Sequence, residues 1–308
     1  MQDIPSSERF GWKGDFLSYV RQRQSLSVLL GMLVLLLAFA VLRGLSSGVV
    51  SGEAGRYALL GGLAGFLATA LGAIPAILLR SIPQKLEDAM LGFAAGMMLA
   101  ASAFSLLLPG IEAGAALLDS RFGGAALVVG GMFAGVVLML GLDAFTPHQH
   151  ASVGPCGPGH QRCSRLWLFV FAIALHNLPE GMAIGVSFAQ GDLHVGVPLT
   201  SAIALQDIPE GLAVALAARA AGWSAAKSVL LSAASGLLEP LGAWLGVSLS
   251  SGFVLAYPAG LGLAAGAMIF VVSHEVIPET HRNGHQTLAT VGLMGGFAVM
   301  LLLDTTLG

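Results

Sequence analysis

The stretch LWLFVFAIALHNLPEGMAIGVSFAQG, residues 166–191, is long and apolar enough to cross a bilayer, yet it carries His176, Asn177 and Glu180 near its centre. Crossing roughly 30 Å of hydrocarbon takes about 20 apolar residues, and a carboxylate placed there costs at least about 2.5–3.5 kcal/mol on insertion scales. That cost demands a reason, and the next apolar stretch repeats the pattern. Leu175-His176-Asn177-Leu178-Pro179-Glu180-Gly181 is matched at an offset of 30 by Leu205-Gln206-Asp207-Ile208-Pro209-Glu210-Gly211. A polar pair followed by Pro-Glu-Gly, twice, on consecutive and therefore antiparallel helices, reads as two halves of one site related by approximate inverted symmetry.

The rest of the chain is built the same way. Of its 308 residues 56% are hydrophobic and 10% charged, against roughly 25% charged in a soluble domain, so the chain reads as a membrane protein. Long uncharged runs argue for helices, because barrel strands show short alternating segments. Cutting at charges and Gly/Pro/polar clusters gives nine spans, at 25–42, 57–79, 89–111, 122–142, 166–191, 195–218, 228–250, 253–273 and 287–304. We call the first the leading span and the others spans one to eight. The leading span follows a polar segment, residues 1–24, and reads as an uncleaved anchor because no small-x-small cleavage site follows it.

Lys and Arg in alternate loops set the orientation. One side collects Arg9, Lys13, Arg21, Arg23, Arg80, Lys85, Arg162, Arg165, Arg219, Lys227 and Arg282, which is 11 of the 14, and the other holds Arg43, Arg56 and Arg121. The first side reads as cytoplasmic, placing the amino terminus inside and the carboxyl terminus outside. A net charge of −3 without a polybasic tract offers nothing to nucleic acid. Gly92/Gly96, Gly131/Gly135, Gly181/Gly185, Gly242/Gly246, Gly262/Gly266 and Gly292/Gly296 are small-xxx-small pairs, which let neighbouring helices approach closely.

Counting inward from the positive ends of the spans gives depth at about 1.5 Å per residue. His176 and Glu180 lie 11 and 15 residues past Arg165, Glu210 and Asp207 lie 9 and 12 before Arg219, and Glu239 lies 12 past Lys227. Met98 is 10 past Asp88, so all of them, with Asn177 and Gln206, fall in one layer near the midplane. A single buried His or Asn reads as a hydrogen bond between helices; six such residues at one depth read as a cation site. His176 and Glu180 share a helical face, as do Asp207 and Glu210. Neutral imidazole with carboxylates suits zinc and its first-row neighbours, and a thioether adds softness. Four carboxylates exceed what one divalent ion neutralises, which suggests two adjacent ions bridged by Glu210 or Glu180. Pro179, Pro209, Pro240 and Pro278 each sit beside a carboxylate, and they are expected to free the carbonyls of Leu175, Leu205, Gly236 and His274. Broken helices of that kind are tolerated where they line a cavity.

At His176-Asn177-x-Pro179-Glu180-Gly181 and Asp207-x-Pro209-Glu210-Gly211 the chain resembles the ZIP (Zrt-, Irt-like protein) family of divalent-metal transporters, in its bacterial branch. The resemblance covers spans one to eight. It implies an all-α polytopic membrane protein, an eight-helix bundle of three, two and three spans with spans one to three related to six to eight by inversion, plus the leading helix. It implies a first metal position of Met98, His176, Glu180, Gln206 and Glu210, and a second of Asn177, Asp207, Glu210 and Glu239 with Glu180 near. The substrate implied is Zn²⁺, with Cd²⁺, Fe²⁺ or Mn²⁺ as variants, carried into the cytoplasm, often by a homodimer. No catalytic cofactor is expected. Gln206 and Asp207 depart from the histidine-rich span-five motif of many eukaryotic members.

Span seven ends in Ser273-His274-Glu275-Val276-Ile277-Pro278-Glu279, read as an exit station at the membrane edge, with His274, Glu275 and Glu279 as its ligands. The loop 143–165 adds Asp143, His148, His150, His160, Cys156 and Cys163 among Gly and Pro, a flexible segment suited to collecting or sensing released metal. Its ligand spacing is not that of a structural zinc knot. On the other side Glu112, Asp119 and Asp304 form an expected acidic intake funnel. Other functions fare worse. His274-Glu275 lacks the second histidine of His-Glu-x-x-His, which argues against a membrane metalloprotease, and no Walker lysine loop is present for an ATP-driven pump. A proton or sodium transporter with buried carboxylates is the alternative, against which His176 and Met98 weigh because sodium sites are built from oxygens.

Overall fold

A computed structural model describes residues 12–150, 154–156 and 165–308. Among these residues nine helical segments are long and apolar enough to cross a membrane: Gln24–Ser46, Glu53–Ile77, Gln84–Leu118, Arg121–Phe145, Leu166–Ser187, Leu193–Ala220, Ala225–Ser250, Ala256–His281 and Gln286–Leu307. Each overlaps one of the nine sequence spans, with span two running on to Leu118 rather than 111 and span seven to His281 rather than 273. A short helix, Trp12–Gln22, precedes the leading span. One departure from all-helical structure occurs in the loop after span three, where β1 (His148–His150) pairs antiparallel with β2 (Gly154–Cys156) and sets His148 opposite Cys156. The sequence reading treats that loop as irregular; His160 and Cys163 lie outside the described residues.

The glycine pairs decide which spans touch. Gly181 and Gly185 of span four abut the backbone of Glu239 and Ala243 in span six, while Gly242 and Gly246 return the contact onto Leu178 and Met182. Gly92 and Gly96 meet Ala289 and Leu293, and Gly292 and Gly296 meet Ala89 and Phe93, which joins spans two and eight. Spans three and seven are joined likewise, Gly131 and Gly135 on Ala259 and Leu263, Gly262 and Gly266 on Val128 and Met132. Span one lies on span five through Gly72 against Ile208 and Gly211 against Thr69. All of these contacts are intramolecular. Exchanging one with six, two with seven, three with eight and four with five maps the one–five contact onto six–four and the two–eight contact onto seven–three, the signature of an inverted repeat. The leading span sits outside this core. Its Gly44 touches Ser248, Ala40 touches Gly252, and Leu30 covers Gly141.

The prolines act differently from one another. Spans four and five run unbroken through Pro179 and Pro209, contrary to the expectation of broken helices there. Around Pro179 the segment is buried against neighbouring spans, whereas Leu205 and Ile208 beside Pro209 are exposed on the outer surface, so the missing donor is tolerated in two different settings. Span six does break, between Gly236 and Leu238 ahead of Pro240. Spans two and seven widen into π-helical turns at Ala101–Leu107 and Val272–Val276, each just before a proline, Pro109 and Pro278. Spans two and seven are symmetry mates, so the same deformation occurs once towards each end of the molecule. π-Turns of this kind concentrate at functional sites.

Candidate metal centre

Spans four, five and six bring Glu180, Asp207, Glu210 and Glu239 together, and span two adds Met98; all are buried, Glu180 and Glu239 completely. Ligand oxygens of Glu180, Asp207 and Glu210 all lie within 4.8 Å of one another. The Glu239 carboxylate joins them because Gly65 has no side chain. A Cβ on Gly65 would overlap Glu239 Oε2 and come within 3.1 Å of Asp207 Oδ2, so both carboxylates occupy the hollow that glycine leaves. Gly181 serves the same end from span four, since its backbone contact with Glu239 draws two ligand-bearing helices together.

Hydrogen bonds hold some of these oxygens and leave others open. Gln206 Nε2 donates to Glu180 Oε1 at 2.5 Å and Thr69 Oγ1 donates to Glu239 Oε1 at 2.9 Å. Glu180 Oε2, Asp207 Oδ2, Glu210 Oε1 and Glu239 Oε2 are buried without a donor, as are the amide oxygens of Asn177 and Gln206. Six buried acceptor oxygens on spans four, five and six thus have no hydrogen-bond donor. Burying carboxylates unpaired is strongly unfavourable unless they coordinate a cation or bind protons, so this donor set fits a divalent metal.

The centre has two ends. Met98, His176 and Glu210 line a cavity of about 540 Å³ that opens on the face carrying Arg80, Arg282 and the ends of spans two and seven. We call this the Arg80 face and the opposite one the Arg121 face. Asn177, Asp207 and Glu239 are buried and do not line this cavity. Of the residues expected to ligate metal, Met98, His176 and Glu210 meet this cavity, while Glu180 and Gln206 do not line it.

His274, Glu275 and Glu279 line the wall of the same cavity. Glu275 is not confined to the membrane edge where the sequence reading puts it: its Oε2 lies 3.0 Å from His176 Nε2. Span seven runs on to His281 rather than ending at 273, so Glu275, within the π-turn Val272–Val276, lies six residues inside the span. Asp143 ends span three, His148 and His150 lie on β1, and His160 is outside the described residues.

On the Arg121 face, Glu112 and Asp304 line a second cavity, of about 440 Å³, together with Ser105, Asp192, His194 and Tyr257. Asp119 does not line it; it ends the span-two helix in a left-handed turn with φ of 49°. Asp192 and His194 escaped the sequence reading because they sit in a short loop beside a span boundary, where one acid and one histidine look like ordinary solvated residues. Thr69 escaped it as well, since a lone threonine in an apolar span carries no signal.

The description "ZIP Zinc transporter" belongs to the family model that matches residues 146–304. Zinc transporter ZIPB of Bordetella bronchiseptica is 61% identical over 252 residues, covering 82% of this chain and 82% of the relative. Zinc transporter GufA of Myxococcus xanthus is 40% identical over 244 residues, covering 78% of this chain and 95% of the relative. Zinc transporter ZIP11 of Homo sapiens is 30% identical over 337 residues, covering 82% and 97%. Nine membrane-length helices among the described residues, a buried carboxylate centre and these likenesses lead to one conclusion: the chain belongs to the ZIP zinc transporter family, a family of multi-pass membrane transporters rather than enzymes.

Proposed function

We propose that the protein carries divalent transition metals, Zn²⁺ foremost and Cd²⁺, Fe²⁺ or Mn²⁺ as alternatives, into the cytoplasm through a two-position midplane site by alternating access. The observation that carries this reading is the set of six donor-free buried oxygens on Asn177, Glu180, Gln206, Asp207, Glu210 and Glu239, beside His176 and Met98. Two ions would share Glu210, which belongs to both ligand sets. The imidazole and thioether favour a transition metal over sodium.

The loop charges support a bacterial inner-membrane placement in which the Arg80 face is cytoplasmic, with residues 1–24 and the loop 143–165 on that side and the carboxyl terminus outside. Residues 25–42 form the additional anchor and residues 57–304 the transport domain. A homodimer follows from the family resemblance. Metal would enter past Glu112 and Asp304 with Asp119 at the rim, and leave past Glu275, His274 and Glu279 towards Asp143, His148, His150 and His160. His176 Nε2 and Glu275 Oε2, at 3.0 Å, are close enough to hand an ion from one to the other. Release needs loosening of a tight ligand set, which one helix bundle moving against another supplies.

The test is metal flux into liposomes reporting on enclosed Zn²⁺ and Cd²⁺. Wild type admits both, and His176→Ala and Glu210→Ala each lose most of the flux while remaining folded. No flux above empty liposomes, or variants equal to wild type, would bring forward the proton or sodium reading.

A further inference from the structure

We infer that Thr69 is a positioning residue for the second metal position: its hydroxyl fixes one oxygen of Glu239 so that the other faces the ion. The inference rests on the two-position reading above and goes beyond its ligand list. Span one supplies none of the ligands named for either position, yet it runs along the centre through Gly65 and Thr69.

Four observations place Thr69 in this role. Its Oγ1, 1% exposed with the rest of Thr69, lies 2.9 Å from Glu239 Oε1 and 3.3 Å from the Gly65 carbonyl, so the shorter contact, to the carboxylate, takes the hydroxyl proton. Glu239 Oε2 has no donor and lies with Asp207 Oδ2 in the hollow against Gly65. The backbone of Thr69 is pressed against Gly211 of span five, whose carbonyl is itself held by Ser232 Oγ at 2.7 Å. A Cβ on Gly236 would stand 3.0 Å from Thr69 Cβ and 3.3 Å from Cγ2, so the methyl of Thr69 is seated at the break in span six.

A β-branched side chain has few χ1 choices, and with its methyl seated at Gly236 the hydroxyl is left pointing at Glu239. Glutamate, by contrast, is a flexible ligand whose carboxylate can swing away from an ion. A single stiff donor removes that freedom at one oxygen and leaves the other for the metal. The same arrangement recurs across the centre, where Gln206 holds Glu180 Oε1 and leaves Glu180 Oε2 open. There, however, the holder is itself counted among the ligands. Thr69 has only the positioning part.

Packing and hydrogen bonding make opposite predictions for two substitutions. Thr69→Val keeps the shape and deletes the donor; Thr69→Ser keeps the donor and deletes the methyl. We would titrate the purified full-length protein in detergent with Zn²⁺ against a competing chelator, obtaining two affinities, and record thermal unfolding in parallel. Partners that orient metal ligands are worth about 10–100-fold in affinity. The expected result is a second Zn²⁺ affinity about 10–100-fold weaker in Thr69→Val, an unchanged first affinity, and a Thr69→Ser variant close to wild type in both. Should Thr69→Val fail to fold, Thr69→Ala removes the same donor without added bulk. An unchanged second affinity in the donor-less variants, or a Thr69→Ser loss as large as theirs, overturns the proposal and leaves Thr69 a packing residue. A wild type that binds a single Zn²⁺ defeats the two-position reading itself, whatever the variants do, and the role of Thr69 with it.

Discussion

The two faces of the molecule give the midplane centre very different access. On the Arg80 face, a cavity of about 540 Å³ reaches Met98, His176 and Glu210, and its wall carries Glu275, His274 and Glu279. On the Arg121 face, the cavity of about 440 Å³ stops at Ser105, Glu112 and Asp304. Along span two Ala101 falls between Met98 and the cavity-lining Ser105, and along span five Leu199 and Ile203 fall between the cavity-lining His194 and Gln206; all three are fully buried members of one apolar cluster. A desolvated ion does not cross such a layer without large cost. The cavity that reaches Met98, His176 and Glu210 therefore opens towards the Arg80 face, and the one on the Arg121 face is not lined by any of these three. Apolar side chains pack the Arg121 side and ligands line the Arg80 opening, so each face carries the chemistry of its own task.

Thiol reactivity offers the largest contrast. In a background with Cys156 and Cys163 replaced by serine, Ala217→Cys in the cavity wall reacts readily with a water-soluble maleimide, whereas Ile203→Cys in the seal is protected. If the opposite state holds about 0.1–10% of the population, the seal cysteine reacts about 10- to 1,000-fold more slowly. Equal rates would dissolve the distinction between the faces.

One-sided acidification sharpens the same comparison. Protonated imidazole and carboxylate cannot ligate metal, so Zn²⁺ loading is greatest at high pH and lost as pH falls. Each competing proton costs about tenfold in apparent affinity per unit of pH. Acidifying the Arg80 side of oriented proteoliposomes lowers loading, and acidifying the Arg121 side alone changes it less. Loading that is indifferent to pH from 5.5 to 8 on both sides removes proton competition from the mechanism.

The smallest expected difference concerns the braces at the two rims. Asp88, on the Arg80 side, accepts from Gln84 Nε2 at 3.1 Å and Asn283 Nδ2 at 3.0 Å, and its other oxygen is 2.7 Å from His285 Nδ1. It ties the start of span two to the loop before span eight. Asp304, on the Arg121 side, accepts from Ser105 Oγ at 2.7 Å. Asp88→Ala is expected to destabilise by about 1.5–3 kcal/mol and Ser105→Ala by about 0.5–1.5 kcal/mol, read as unfolding midpoints in detergent. Equal shifts would mean that the two rims are braced alike.

Much of this was legible in the chain, for reasons that can be named. Lipid makes any long apolar run helical, because every backbone polar group must be satisfied within its own segment, so the nine spans follow from composition. The polar layer follows from the fixed rise of those helices, which places His176, Asp207, Glu210 and Glu239 at similar depths from their positive ends. Small-xxx-small pairs identify helix contacts, but pairing partners cannot be assigned from spacing alone. That Gly181 meets Glu239 rather than a residue of span five is a fact of tertiary arrangement.

Prolines gave the poorest guide. Pro179 and Pro209 sit in unbroken helices, while Pro109 and Pro278 follow π-turns and Pro240 follows a break. A proline always deletes one donor, yet whether the helix bends, widens or simply tolerates the loss depends on what surrounds the freed carbonyl. Glu275 illustrates a related limit: the sequence reading ends span seven at 273, whereas the helix continues through a π-turn to His281 and keeps Glu275 within the span, 3.0 Å from His176.

By itself, then, the sequence determined that the chain is a helical, multi-pass membrane protein with nine membrane-length apolar spans among the described residues, and which of its costly polar residues fall at similar distances along them. These are local or one-dimensional properties, set by hydropathy, helical rise and residue type. Only the tertiary structure decided which helices meet, which carboxylate oxygens are held by Gln206 and Thr69, which are left open, and which face reaches the centre. Those depend on contacts between residues far apart in the chain, such as Thr69 with Glu239 and His176 with Glu275, and on backbone approaches that only particular glycines permit.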